Sequence, residues 1–245
     1  MGKCWVDEAN ERIYFDFKVL QAKSILKIAK ETFGDNLAVA FSGGKDSLVV
    51  LHLALEILGP DIPVIFNNTT IEFPETIQYV LNLSKMWGFK LHVINPNRNF
   101  FSAVKEHGWA THENRWCCKP YKDEPAYKYM VEHGIMAEIT GVTRTESFYR
   151  RYLKPFTMPK KDPPILRINP IYDWNSQEVW RYIKERNLPC NPLYNMGYQR
   201  IGCWCCPLKG ISHYRRMQKT HPNLYSFLKN FEPKHPVLKD IVTYN

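Results

Sequence analysis

The junction at residues 37–47 constrains this chain more than any other feature. Leu37–Phe41 is an apolar segment typical of a buried strand, and it runs directly into Ser-Gly-Gly-Lys-Asp-Ser at Ser42–Ser47. A helical pattern of leucines follows from Leu48. The two glycines lack Cβ atoms, so backbone N–H groups can converge there, at the positive end of the new helix. Such a turn suits a pyrophosphate, although its spacing is not that of a Walker loop.

Strands and helices alternate on both sides of this junction. The predicted strands are residues 37–41, 62–66, 89–94 and 136–140, and the predicted helices are residues 19–33, 46–58, 74–87, 100–107 and 120–133. This alternation predicts an α/β fold, a doubly wound and mainly parallel sheet with helices on both faces. Ligands bind at the carboxyl ends of the strands in such folds, so we expect Asn67–Glu72 and Gly141–Ser147 to converge with the turn at 42–47.

The chain changes character after residue 150. Five prolines and many lysines and arginines precede a predicted helix at 175–186, a Cys-rich loop and a basic, aromatic tail. We predict an N-terminal arm or hairpin over residues 1–18, a nucleotide-binding core over 19–150 and a basic, Cys-rich extension over 151–245 packed on the core.

Composition limits the class of protein. A chain of 245 residues with 44% hydrophobic side chains can bury one substantial core. No apolar run approaches the length of a membrane span and no secretory pattern is present, so we expect a cytoplasmic protein. In that compartment seven cysteines favour metal ligands or reactive thiols over disulfides. The net charge of +9 suits a polyanionic partner, a nucleotide or a nucleic acid, but an ordinary basic protein has the same charge.

Two pairs of cysteines have the spacing of metal ligands. Cys203 and Cys206 form a Cys-x-x-Cys pattern, which lets two thiolates reach one metal centre, and Cys117 and Cys118 are adjacent. Adjacent side chains diverge, so a single zinc ion rarely takes both, whereas the larger [4Fe–4S] cluster can accept them. The pattern therefore favours a [4Fe–4S] cluster, with a structural zinc ion or unliganded thiols as alternatives.

The remaining cysteines differ in their surroundings. Cys205 lies between two candidate ligands and close to Lys209, a position that would lower the pKa of its thiol and make it a candidate sulfur carrier. A small residue that fills the loop, or a spare ligand, is the alternative for Cys205. Cys4 and Cys190 are isolated in the sequence and are expected to be ordinary surface or core thiols.

These motifs resemble those of a known superfamily. Ser42–Ser47 resembles the PP-loop of the ATP pyrophosphatases (adenine nucleotide α-hydrolases), and Glu72–Thr76 and Gly141–Ser147 resemble two further motifs of its PAPS reductase-like members. The Cys-Cys and Cys-x-x-Cys pairs resemble the cluster site of APS reductases. The resemblance extends from about residue 37 to residue 207. It implies that a [4Fe–4S] cluster is held by Cys117, Cys118, Cys203 and Cys206, and that an adenine nucleotide is bound by Ser42, Gly43, Gly44, Lys45, Asp46, Ser47, Gly141 and Arg144.

Two departures from the reductases decide the functional hypothesis. Reductases of this family carry a nucleophilic cysteine in a C-terminal Glu-Cys-Gly segment, but residues 225–245 contain no cysteine. The reductases also have a degenerate phosphate loop, whereas Lys45 and Asp46 are intact here, as in members that split ATP between the α and β phosphates. In addition, Thr143 stands where the family carries an arginine.

The resemblance therefore implies an ATP-dependent sulfurtransferase, similar to tRNA thiolases and to the ATP pyrophosphatases of DNA phosphorothioation. ATP would bind with Mg²⁺ on Asp46 and with its adenine near Phe41 and Phe66, and Lys45, Asp46 and Cys205 would be the catalytic residues. The implied partners are an adenine nucleotide, a nucleic acid (tRNA or DNA), a sulfur donor such as a cysteine desulfurase and a second copy in a homodimer, with no membrane. An APS or PAPS reductase that makes sulfite and a non-catalytic, nucleotide-binding iron–sulfur subunit are the alternatives.

A basic region is the candidate contact surface for a nucleic-acid backbone. Its cations are Arg150, Arg151, Lys154, Lys160, Lys161, Arg167, Lys209, Arg215, Arg216 and Lys219, and Tyr149, Tyr152 and Tyr214 interleave with them as candidate stacking surfaces. A solvated basic face with tyrosines in the core is the alternative interpretation.

Overall fold

A six-stranded, mostly parallel sheet organises the fold in the computed structural model, which describes residues 5–160 and 162–238. The strand order is β3-β2-β1-β4-β6-β5. β1 pairs in parallel with β2 and β4, β4 pairs in parallel with β6, and β5 is antiparallel to β6. The strands are β1 (Leu37–Ala40), β2 (Val64–Asn67), β3 (Leu91–Ile94), β4 (Ala137–Ile139), β5 (Phe156–Thr157) and β6 (Leu166–Ile168). The predicted α/β fold class is confirmed.

The described residues also form eight α-helices. They are α1 (Trp5–Phe33), α2 (Lys45–Leu58), α3 (Pro74–Trp87), α4 (Phe100–His107), α5 (Glu124–Glu132), α6 (Ser176–Glu185), α7 (Ile211–Thr220) and α8 (Pro222–Asn230). The start of α6 is set by a capping box, in which the Asn175 side chain accepts from the Glu178 amide and the Glu178 carboxylate accepts from the Asn175 amide. No helix among the described residues is both long enough and apolar enough to cross a membrane.

The N-terminal segment requires a correction. Described residues of the predicted arm at 1–18 belong to the long helix α1, which starts at Trp5. The Lys18 ammonium donates to the Glu178 carboxylate at 2.9 Å and to the Asp173 carbonyl at 3.0 Å, and the Phe15 ring packs on Trp174 with centroids 5.5 Å apart. These anchors come from the far end of the chain, so no local pattern near residue 18 reveals them.

The chain divides into two compact units, each built from separate stretches of sequence. The first unit contains the described residues up to Phe66, Leu81–His92 and Met130–Cys190, and the second contains Asn67–Val80, Val93–Tyr129 and the described residues from Asn191. This division replaces the predicted boundary at residue 150. Residues 151–190 stay with the first unit because β6, which lies in the proline-rich segment, pairs with β4. Two residues named above, Cys4 and Lys161, lie outside the described part of the chain.

Lys18→Ala tests whether α1 is integral to the first unit. It leaves the Glu178 carboxylate without its ammonium partner in a buried site, so we expect the free energy of unfolding to fall by about 3 kcal/mol. Urea denaturation followed by circular dichroism measures this loss. Lys23→Ala is the matched control, because Lys23 pairs with Glu56 nearer the surface of α1, where such a pair contributes about 0–1 kcal/mol. Equal losses in the two variants would contradict the anchoring role of Lys18.

Candidate functional site

The glycine-rich turn after β1 has the geometry of an anion-binding nest. Gly43 has a φ of 73°, a left-handed conformation that glycine adopts without strain. The helix α2 begins at Lys45, with Gly44 as its N-cap and no side-chain capping bond, so its first-turn amides point into this turn. The Ser47 hydroxyl accepts from the Ser42 amide at 3.2 Å and donates to the Gly44 carbonyl at 3.0 Å. These bonds hold the turn open in the shape that a phosphate requires.

Lys45 and Asp46 form an ion pair within the turn. The Lys45 ammonium donates to both carboxylate oxygens of Asp46, at 2.7 and 2.9 Å. The two side chains are only 14% and 23% exposed, so their charges are partly desolvated and act strongly on a bound anion or cation. A phosphate can attract the ammonium away from Asp46, which would leave that carboxylate to a metal cation.

The loop after β4 approaches the same turn through Gly141. A Cβ atom at Gly141 would lie 2.7 Å from the Asp46 carbonyl carbon, 2.7 Å from the Ser47 amide nitrogen and 2.8 Å from the Ser47 Cα. These are backbone atoms, so no side-chain movement can relieve the contact, and only glycine fits. The sheet order reverses between β1 and β4, and ligands of open α/β sheets bind at such a switch point. The structure thus brings the predicted nucleotide-binding turn and Gly141 together.

Arg144 is oriented by its own loop. Its Nε donates to the Leu153 carbonyl at 2.7 Å, and its guanidinium lies over the Tyr172 ring at 4.5 Å from the centroid. The planar guanidinium can present its other N–H groups to an anion in a fixed direction. Thr143, at the position where the family carries an arginine, is buried, and its hydroxyl lies 3.1 Å from the Thr145 hydroxyl.

The two phenylalanines named near the expected adenine position are buried. Phe41 and Phe66 are each only 2% exposed, and the Phe41 ring packs edge-on against Phe89. Both rings therefore belong to the hydrophobic core of the first unit, and the position of the adenine near these strand ends stays a prediction.

All four predicted cluster ligands lie in the second unit. Cys117 and Cys118 precede a π-helical turn at Lys119–Asp123, and Cys203 and Cys206 lie in the loop before α7. The hydrogen bond with Cys118, burial, and the charges of Cys118, Cys203 and Cys206 raise the pKa of Cys117, and the same hydrogen bond lowers the pKa of Cys118. Cys117 is thus within electrostatic range of the other three thiols.

The donor set fits an iron–sulfur cluster in its chemistry. Nowhere in the described residues are three or more His, Cys, Asp or Glu side chains arranged to hold a metal ion. The four thiols therefore do not converge on a single metal position in the described residues. A [4Fe–4S] cluster offers four separate irons to four thiolates, and four cysteines are its usual ligands.

Two half-buried ionisable residues, Glu72 and Lys209, lie near Cys203. The Glu72 carboxylate accepts from the Thr69 hydroxyl at 2.8 Å and lies 3.9 Å from the Cys203 sulfur. Burial raises the pKa of Glu72, and its Oε2 has no hydrogen-bond partner among the described residues. Burial lowers the pKa of Lys209, whose ammonium donates to the Gly202 carbonyl at 3.2 Å. The sequence placed Glu72 in a motif after the second strand, but only the fold shows that it contacts a predicted cluster ligand.

The expectation of a low pKa for Cys205 is wrong. Its side chain is fully buried, at 0% exposed, within an apolar cluster of the second unit. Burial, together with the charges of Cys203 and Cys206, raises the pKa of its thiol, and these effects outweigh the attraction of Lys209. Cys190 is half-buried, and burial raises the pKa of its thiol as well.

The basic region divides into exposed and buried parts. Tyr149 and Tyr152 are exposed, but Tyr214 is fully buried, and its hydroxyl donates to the Cys206 carbonyl at 2.6 Å. Tyr214 is therefore a core residue that supports the Cys-rich loop, and its predicted stacking role is wrong. Lys209 also points into that loop and not to solvent.

Comparison with known proteins identifies the family. Residues 36–209 match the phosphoadenosine phosphosulfate reductase domain, and the chain belongs to this family. It is 33% identical over 233 residues to an uncharacterized protein of Methanocaldococcus jannaschii, covering 93% of this chain and 48% of that protein. It is 30% identical over 199 residues to the adenosine 5′-phosphosulfate reductase of Salinibacter ruber, covering 79% of this chain and 77% of that enzyme. The chain spans about half the length of the Methanocaldococcus relatives that it matches.

Solved structures agree on the fold. A phosphoadenylyl-sulfate reductase from Candida auris, in a phosphate complex, superposes with a TM-score of 0.62 at 25% identity, covering 83% of this chain and 97% of that one. A U34-tRNA thiolase from Methanococcus maripaludis, solved with its [4Fe-4S] cluster, has a TM-score of 0.52 at 17% identity, covering 86% and 77%. The thiolase likeness shows a shared fold only.

Gly141→Ala tests the contact between the two loops. The added methyl group would force the loop after β4 away from the Asp46 and Ser47 backbone. We expect ATP affinity, measured by calorimetry, to fall at least about tenfold. We also expect overpacking to lower the free energy of unfolding by about 1–3 kcal/mol. Gly210→Ala is the control, because a Cβ there meets nothing within 4 Å. Wild-type nucleotide affinity in Gly141→Ala would show that the nucleotide does not use this junction.

Proposed function

We propose that the protein is an ATP-dependent enzyme that converts an acceptor oxygen to an adenylate and then replaces it with sulfur. The observation that carries this proposal is the complete Ser42–Ser47 nest, with its Lys45–Asp46 ion pair and the close approach of Gly141. The Lys45–Asp46 pair supplies both a cation for the phosphates and a carboxylate for a metal ion, and cleavage of a nucleotide needs both.

The residues of the first unit have distinct roles in the adenylation step. The first-turn amides of α2 and the Ser47 hydroxyl bind the phosphates. Mg²⁺ usually binds through one or two carboxylates together with phosphate oxygens, and Asp46 supplies one carboxylate. The acceptor oxygen attacks the α-phosphorus, the bond to the bridging oxygen breaks, and pyrophosphate leaves. Lys45 stabilises the negative charge that grows on the departing phosphates.

The second step exchanges oxygen for sulfur. A hydrosulfide nucleophile forms the bond between the acceptor and sulfur while the bond to the AMP oxygen breaks, so AMP leaves with the electron pair. A cysteine desulfurase with a thiol reductant can supply sulfur at this oxidation level. We do not assign this step to Cys205, because its thiol is fully buried and its pKa is raised.

Cys117, Cys118, Cys203 and Cys206 would hold a [4Fe–4S] cluster with one thiolate on each iron, and an iron would be free to bind sulfur only after one of these thiolates dissociates. Several contacts hold the loop that carries two of these ligands. The Cys206 amide donates to the Cys203 carbonyl at 3.4 Å, and the Trp204 amide donates to the Ile71 carbonyl at 2.9 Å. The Lys209 ammonium offsets part of the negative charge that thiolates would bring to this buried region.

A reductase of APS or PAPS is the second candidate, favoured by family membership and by the 30% identity to the Salinibacter ruber enzyme. That reaction takes two electrons to release sulfite from the phosphosulfate and requires a nucleophilic thiol. Residues 225–245 contain no cysteine, so the thiol would come from a cysteine outside the usual place or from a partner, and a dithiol such as a thioredoxin could supply the electrons. The third candidate is a non-catalytic subunit, which would bind ATP tightly without turnover.

Product analysis separates the three candidates. We expect anaerobically purified protein to release pyrophosphate and AMP from ATP in the presence of tRNA or DNA, and we expect Lys45→Ala to lower this rate at least about tenfold, because it removes a charge-assisted contact to phosphate. The iron content of Lys45→Ala should equal that of the wild type, and Lys23→Ala is the matched charge control. Sulfite from APS or PAPS without ATP cleavage would establish a reductase, and ATP binding without any product would establish the subunit.

Iron analysis tests the cluster. Anaerobic protein should contain about four iron and four sulfide per chain. Alanine substitution of Cys117, Cys118, Cys203 or Cys206 should lower the iron content, because each removes one ligand. Cys190→Ala and Cys205→Ala are matched thiol controls and should retain iron. Stoichiometric zinc without iron would refute the cluster assignment.

A further inference from the structure

Three exposed aromatic rings lie close together in the loop that follows Gly141. Phe148 is 69% exposed, Tyr149 is 94% exposed and Tyr152 is 75% exposed. Large aromatic side chains are normally mostly buried, so three bare rings within five residues point to a surface that is covered by a partner.

Hydrogen bonds and an ion pair fix the backbone that carries these rings. The Leu153 amide donates to the Arg150 carbonyl at 2.9 Å, and the Arg150 guanidinium pairs with Glu146. The Leu153 carbonyl accepts from Arg144 Nε at 2.7 Å. These bonds join the exposed segment to the same loop that contacts the nucleotide-binding turn, so the rings are presented in a defined arrangement.

Cations are interleaved with the rings. The Arg151 guanidinium lies 3.7 Å from the centroid of Phe148 and 4.7 Å from that of Tyr152, which makes a short stack of planar groups. Residues 148–160 contain four cations and no Asp or Glu. All four cations are exposed, namely Arg150, Arg151, Lys154 and Lys160.

The combination of exposed aromatic rings and cations favours a nucleic acid over a protein as the partner. Every base has a π-face that stacks on an aromatic ring, and the phosphates beside it need cations. A stable protein interface buries about 800 Å² per partner, more than a few side chains of one loop supply. A duplex presents few open base faces, so the rings favour a single strand.

We infer that residues 148–154 form a stacking surface for single-stranded nucleic acid, with bases on Tyr149 and Tyr152 and phosphates on Arg150 and Lys154. The inference rests on the proposed function, because the role of this surface would be to deliver the acceptor nucleic acid to the adenylation site. Tyr149 is eight residues from Gly141, and eight residues span at most about 29 Å even when fully extended. A strand on this surface is therefore within a few nucleotides of the adenylating turn.

Fluorescence anisotropy with labelled single-stranded RNA and DNA of about 12 nucleotides tests the surface. We expect Tyr149→Ala and Tyr152→Ala each to weaken binding about tenfold, because each removes one stacked base. Tyr149→Trp should restore binding. Lys154→Ala should lower the salt dependence of the binding constant by about one ion, whereas the tyrosine variants should not. Tyr14→Ala is the matched control, since Tyr14 is a 59% exposed tyrosine on α1.

The assay separates this inference from the proposed function, because binding is measured without ATP. Lys45→Ala should bind the strands like the wild type, and Tyr149→Ala should bind ATP like the wild type. Unchanged affinity in both tyrosine variants, an equal loss in Tyr14→Ala, or equal affinity for duplex and single strand would overturn the stacking surface. If the strands bind as expected but no pyrophosphate is released from ATP, the proposed function is wrong and the inferred stacking surface is unaffected.

Discussion

The first unit depends on one close contact between two stretches of backbone. Gly141 lies so near to the Asp46 and Ser47 backbone that even a methyl group would not fit. The contact is possible because β1 and β4 are neighbours in the sheet although they are about a hundred residues apart in the chain. It joins the turn that carries Lys45 to the loop that carries Arg144 and the exposed aromatic rings. Every interaction that we assign to the nucleotide requires this junction.

Burial decides the chemistry of the second unit. Cys205 is adjacent in sequence to two predicted cluster ligands, yet its thiol is enclosed by apolar groups and its pKa is raised. Glu72 and Lys209 are also largely buried, and burial shifts the pKa of each towards its neutral form. Charged thiolates would be costly here unless a metal centre shares their charge. Cys205 is therefore not a solvent-exposed nucleophile, whereas Cys118 in the same unit is exposed and its pKa is lowered to about 6 by the hydrogen bond with Cys117.

Family membership and function are separate questions for this chain. The match over residues 36–209 establishes the PAPS reductase family and its fold. A fold supports many activities, so the reaction has to be argued from the site. The local feature on which the proposed ATP chemistry rests is the Lys45–Asp46 pair. The exposed rings at 148–152 add a surface that a small sulfonucleotide would not need.

Sequence alone was enough for the α/β fold class and for the strand, glycine turn and helix at residues 37–58, because these depend on local periodicity and on glycine. It did not show that residues 5–18 belong to a helix, that the proline-rich segment contains β6, or that Phe41, Phe66, Tyr214 and Cys205 are buried. Those properties depend on partners far along the chain, such as Asp173 and Glu178 for Lys18 and β4 for β6. Tertiary structure decided them because desolvation and strand pairing act between residues that only folding brings together.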